Sequence, residues 1–73
     1  MYLKRVRELR EDKDLKQENI AKLLGMKQPQ YARYEKGYRD LPLDCLIKLA
    51  MFYDTTTDYI LGITKKKGKY PKE

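Results

Sequence analysis

The 73-residue chain predicts an all-α fold of five short helices. Three features carry that prediction. Apolar residues recur at helical spacing, glycines stand where helices would end, and Pro42 and Thr56 suit helix starts.

The first helix, about Tyr2 to Lys13, turns Leu3, Val6 and Leu9 inward with Arg10 beside them, and Asp12-Lys13-Asp14 forms a polar exit. In the second, Ile20, Leu23 and Leu24 share one face, with Ala21 alongside where a neighbouring helix can come close. Gly25 can take the left-handed conformation that ends it. The third helix runs from Gln28 to Lys36. Advancing each residue by roughly 100° divides it into two arcs. Tyr31, Tyr34 and Glu35 face inward, whereas Gln28, Pro29, Ala32, Arg33 and Lys36 face outward. After a loop at Gly37 to Leu41, Pro42 opens a fourth helix that ends near Tyr53 and carries only Asp44 and Lys48 as charges between Leu43 and Tyr53. Such a helix is either central or meets a partner. Thr56 can cap a short fifth helix, Thr57 to Leu61, and Gly62 can end it. Residues 1–62 therefore read as one domain, and 63–73 as a basic, loose tail.

Two short amphipathic helices hinged at Gly25 and closed by Gly37 are the pattern of a helix-turn-helix. The outward arc of the third helix suits the major groove. Glutamine can pair with adenine, arginine with guanine, and small apolar groups can meet a thymine methyl. On spacing alone, the same pattern fits any helical hairpin in a small bundle.

The sequence resembles the DNA-binding domain of the phage repressor and Cro family, the xenobiotic-response-element type of bacterial regulator. The likeness is carried by Leu9-Arg10, Leu15, Gln17, Ile20-Ala21, Leu24-Gly25, Gln28-Pro29, Tyr31, Arg33-Tyr34-Glu35 and Gly37, and it continues through Pro42, Leu46, Leu49-Ala50 and Thr56 to Gly62. The resemblance implies the compact five-helix bundle of that family, binding double-stranded DNA at a near-palindromic operator as a homodimer. It also implies roles by position. Gln17 bonds a phosphate, Gln28 and Pro29 approach bases, Arg33 lies on the reading face, and Arg10 pairs with Glu35 to tie the first helix to the end of the third. Partly buried charges need partners, which gives that pair a physical reason of its own. Ala32 adds methyl contact beside Pro29. The family commonly dimerises near the C-terminal end of the fold, where Phe52, Tyr59, Ile60 and Ile63 exceed what so small a core absorbs.

Lys16 and Lys27 depart from the family, which places serine or threonine caps there. Losing a cap costs about 1 kcal/mol, and a positive charge is unfavourable at the positive end of a helix dipole. A phosphate at both helix starts would offset this, so Lys16 and Lys27 join Gln17, Lys36, Tyr38 and Arg39 as expected backbone contacts.

Composition narrows the function classes. Residues 1–64 hold 12 basic and 10 acidic side chains, whereas residues 16–39 hold six and two, so the motif is locally basic. A single cysteine cannot form an internal disulfide, and no apolar run is long enough for a signal peptide or membrane helix, from which a cytoplasmic protein is expected. Catalysis has little to work with. The chain has no histidine and no serine, and Cys45 reads as a buried, inert thiol, so no enzyme, metal or cofactor is expected. Of seven tyrosines, Tyr31, Tyr34 and Tyr53 fit core positions with their hydroxyls at the surface. The function expected is transcriptional regulation, as a repressor that occludes a promoter. An antitoxin or restriction-controller protein of the same fold and a protein-interaction adaptor are the alternatives.

Overall fold

The computed structural model describes residues 1–68 and contains α1 (Lys4–Asp12), α2 (Gln17–Leu23), α3 (Gln28–Glu35), α4 (Leu43–Phe52) and α5 (Thr57–Leu61). No strand occurs among the described residues. Helix α3 packs on α2 and on α1, while α5 bridges α1 and α4. All five helices send side chains into one core, made of Val6 and Leu9, Ile20 and Ala21, Tyr31, Leu46, Leu49 and Ala50, Tyr53, and Ile60. Every one of these is nearly sealed from solvent. Burying large apolar side chains stabilises by about 1.5–3 kcal/mol each, before conformational entropy is charged against it.

Each helix ends in the same way. The residue after a left-handed position donates its N–H five residues back, and the left-handed residue donates three residues back, which satisfies two carbonyls that the helix leaves open. In α2 these bonds run from Met26 to the Ala21 carbonyl (2.9 Å) and from Gly25 to Lys22 (3.1 Å). In α3 they run from Tyr38 to Arg33 (3.0 Å) and from Gly37 to Tyr34 (3.1 Å). Gly25 and Gly37 supply the left-handed residue at φ 72° and 79°, but α1 and α4 use Asp14 and Asp54 at φ 55° and 61°. Gly37 is doubly constrained, because a Cβ there would lie 2.8 Å from the Tyr2 Cα. The N-terminal segment thus lies directly over the loop that follows α3, and the Met1 ammonium reaches Asp40 at 2.6 Å.

Helix starts differ in quality. The Thr56 hydroxyl accepts the Tyr59 N–H at 3.0 Å, as a cap should. Lys16 and Lys27 occupy the N-cap positions of α2 and α3 without a side-chain cap bond. An ammonium has no lone pair with which to accept one. Asn19 supplies half of the missing arrangement by accepting the Lys16 backbone N–H at 2.9 Å. Pro29 removes one further open donor from the first turn of α3.

Two sequence expectations need correction. The hydroxyls of Tyr31 and Tyr53 do not reach the surface; both oxygens are buried without a hydrogen bond of ordinary geometry. Burial pushes both phenols well above the usual tyrosine range, and the charge of Glu35 adds to the effect, so they stay neutral. Nor is the start of the tail loose. Arg5 donates to the carbonyls of Tyr59 (2.5 Å) and Thr64 (2.6 Å), the Thr55 hydroxyl donates to the Lys67 carbonyl (2.6 Å), and Lys67 pairs with Asp12 at 3.5 Å. The remaining tail residues, 69–73, with Lys69 and Lys72, lie outside the described residues.

Candidate nucleic-acid interface

Helix α3 is short, and its two arcs have opposite fates. Tyr31, Tyr34 and Glu35 are buried, whereas Gln28, Pro29, Arg33 and Lys36 are exposed and Ala32 is half-buried. Residues 29, 32, 33 and 36 follow helical spacing, so they form one continuous outer face. Its apolar part, Pro29 and Ala32, is flanked by a guanidinium and an ammonium.

What fixes this face is a chain of side-chain hydrogen bonds that starts in the core. Arg10, on α1, donates through Nε to Glu35 Oε2 at 2.6 Å and through a terminal nitrogen to Oε1 at 3.1 Å. Its other terminal nitrogen donates to the Leu15 carbonyl at 2.8 Å, in the turn that leads to α2. The two side chains are only 11% and 3% exposed, so the pair is bidentate and almost dry. Glu35 Oε1 also accepts from Gln17 Nε2 at 3.0 Å, and Gln17 Oε1 in turn accepts from Gln28 Nε2 at 2.7 Å. A buried ion pair is thereby connected, bond by bond, to the first residue of the outer arc. One amide proton and the oxygen of Gln28 remain uncommitted within this chain of bonds, which are the two groups an adenine edge requires.

The charge state of this chain follows from its partners. Burial alone would raise the Glu35 carboxyl, but the hydrogen bonds from Arg10 and Gln17, helped by the nearby Tyr31 hydroxyl, outweigh it and hold the group below the ordinary glutamate range. The bond to Glu35 raises the Arg10 guanidinium further above neutrality. Both charges therefore persist at any pH near 7.

The other expected cations lie on the surface. Lys16, Gln17 and Gln28 line one shallow groove with Arg10 and Glu18, at the adjoining starts of α2 and α3. Nothing in the sequence singles out Glu18, yet its carboxylate is the one negative group among the described residues that line the groove. Lys27, Lys36, Tyr38 and Arg39 are all exposed, and Lys36 Nζ lies 6.0 Å from the Tyr38 ring centre. The bond from Gln28 to Gln17 is equally silent in the sequence. Eleven residues separate them, and nothing in their local spacing shows that α2 and α3 start side by side.

Of the four residues expected to form a dimer contact, Ile60 is corrected. It is 1% exposed and belongs to the core of its own chain. Tyr59 is half-covered by Arg5, whose guanidinium carbon sits 4.0 Å from the ring centre. Phe52 and Ile63 remain exposed. Burial pushes the Cys45 thiol up, with Asp44 adding to the effect, so it stays protonated. Among the described residues no group of cysteine and carboxylate side chains could hold a metal ion, and no helix is long and apolar enough to cross a membrane.

These features define a helix-turn-helix domain. A helix-turn-helix family profile matches residues 6–60, and the chain belongs to that family. It is 42% identical over 64 residues to an uncharacterized HTH-type transcriptional regulator, YobD, of Bacillus subtilis, covering 88% of this chain and 57% of the relative. It is 43% identical over 72 residues to the HTH-type transcriptional regulator AnsR of the same organism, covering 99% and 62%. A cryptic phage CTXphi transcriptional repressor, RstR of Vibrio cholerae, is 40% identical over 53 residues, covering 73% and 48%. The chain thus spans about half to three-fifths of the length of these relatives. No solved structure matches it.

Proposed function

We infer that this domain binds a specific double-stranded DNA site and regulates transcription, acting as a repressor by covering a promoter. The observation that carries the reading is the bonded chain from Arg10 through Glu35 and Gln17 to Gln28. It presents an amide of fixed orientation at the start of an exposed helix, which lowers the ordering cost of reading a base edge. Helix α3 enters the major groove, the docking that is general for this motif. Gln28 and Arg33 read base edges, with Pro29 and Ala32 in van der Waals contact. Lys16, Gln17, Lys27, Lys36, Tyr38 and Arg39 hold phosphates. The repressor role draws support from the name of one relative, a phage transcriptional repressor.

One recognition helix spans only a few base pairs. Two copies on a near-palindromic operator, with half-site centres about one helical turn or roughly 34 Å apart, raise both affinity and specificity. The direct test is selection of bound sequences from a random duplex library, followed by binding at several salt concentrations. A recovered consensus with inverted symmetry and a log–log salt slope of several units is expected. Recovery of no consensus, with binding that tracks salt alone, would overturn sequence-specific recognition.

A further inference from the structure

Helix α4 is apolar on both sides. Its inner face, Cys45, Leu46, Leu49 and Ala50, belongs to the buried interior. Its outer side nonetheless carries Leu43, Ile47 and Met51, exposed to 69%, 45% and 77%, with Phe52 at 41% beside them. Single exposed apolar residues are ordinary. Three in succession at four-residue intervals form a stripe along one edge of the helix, and a continuous apolar patch of that kind marks an interaction surface. The only charges on α4 are Asp44 and Lys48, opposite in sign and one turn apart on the flank of the stripe.

We propose that this stripe is where two copies of the chain pair, α4 against α4, antiparallel about a two-fold axis passing near Ile47. The inference rests on the dimer reading given above, and it moves the centre of the contact from the C-terminal end of the fold, where Tyr59 and Ile63 lie, to the outer side of α4. Self-complementarity selects a second copy as the occupant. A two-fold axis at Ile47 sets that residue against its own counterpart and Leu43 against Met51 of the second copy, so the large side chains meet in both directions. The same rotation brings Asp44 towards Lys48 of the second copy. A parallel arrangement would instead set the Asp44–Lys48 flanks of the two copies on opposite sides of the seam, where neither charge meets its opposite. Area sets the strength. Four partly exposed side chains, Leu43, Ile47, Met51 and Phe52, offer well under the roughly 800 Å² per partner that an ordinary stable interface buries. Pairing through α4 is therefore weak in free solution and is consolidated where a duplex holds two copies together.

Sedimentation equilibrium of the full chain tests this with the wild type, Asp44→Lys, Lys48→Asp and the double reversal, each checked by circular dichroism. Because the axis duplicates every contact, a single reversal replaces two attractions by two repulsions and weakens association about tenfold, and the double reversal restores it. Ile47→Cys in a Cys45→Ala background should also form a disulfide-linked dimer on mild oxidation. Single reversals that leave association unchanged, with no crosslink at position 47, would overturn the placement on α4 while the dimer itself stands. A wild type that stays monomeric at millimolar concentration and binds the selected duplex one-to-one would overturn the dimer reading and this inference with it.

Discussion

Replacing Glu35 with alanine removes a carboxylate that is 3% exposed and leaves the Arg10 guanidinium, itself 11% exposed, without its counter-charge. Stripping one partner from a buried ion pair costs about 3–5 kcal/mol, chiefly through the charge left behind. A domain of this size has a total stability of only about 4–11 kcal/mol at about 0.05–0.15 kcal/mol per residue, so the variant keeps little margin. With a urea m-value of about 1–1.5 kcal/mol/M, the midpoint should fall by at least about 2 M. Arg10→Met should cost a similar amount, since it leaves Glu35 buried and charged. The double variant should be far better than the sum of the two, with a coupling of about 2–3 kcal/mol, because no uncompensated charge remains. Urea denaturation followed by circular dichroism at pH 7 measures all four corners of the cycle. The carboxyl is held below its ordinary range in the folded state, so its contribution is complete above the unfolded glutamate value of about 4.3 and is lost as pH falls through the lower folded value. The stability gap between wild type and Glu35→Gln should therefore narrow in acid. Additive losses, with a coupling below about 0.5 kcal/mol, would show that the bidentate geometry carries no energetic interaction.

Arg33→Ala should weaken operator binding by about 1–3 kcal/mol and relax preference at one base per half-site with the circular dichroism spectrum unchanged, while Gln17→Ala should relax the base read by Gln28 and leave that read by Arg33. Repeating the duplex selection separates the two, and base preferences unchanged from the wild type in both variants would remove Arg33 and Gln28 from the reading set. Asp14→Gly should stabilise the domain by about 0.5–1 kcal/mol in thermal or urea unfolding, because a left-handed backbone strains any residue with a Cβ. Truncation after Thr64 removes five lysines and the bond from Thr55 to the Lys67 carbonyl. It should cost about 1 kcal/mol of stability and flatten the slope of log affinity against log salt by roughly 0.9 for each phosphate that the tail neutralises, with base preference retained. An unchanged slope would assign the tail to the fold alone.

The order and extent of the helices were legible in the sequence because they depend on local chemistry. Helical spacing separated Tyr31, Tyr34 and Glu35 from Arg33 and Lys36, and glycines at 25, 37 and 62 stand where the chain turns left-handed. Asp14 and Asp54 make the same turn but could not be read, since aspartate, unlike glycine, visits that conformation only occasionally and is as common in other backbone settings. Long-range relations were the other silent class. Ile60 and Ile63 read alike as apolar residues near the end of the fold, yet Ile60 is sealed in the core, where α5 lies against α1 and α4, whereas Ile63 follows the left-handed Gly62 that ends α5 and lies open. Likewise, α4 showed itself as apolar all round, but only the packing of its neighbours decided that Leu46 and Leu49 are covered while Leu43, Ile47 and Met51 are not. Arg10 and Glu35 are 25 residues apart and Gln17 and Gln28 eleven, and their bonds exist because three helices converge on one point. Local periodicity fixes which side of a helix is apolar; only the assembled bundle fixes what each side meets.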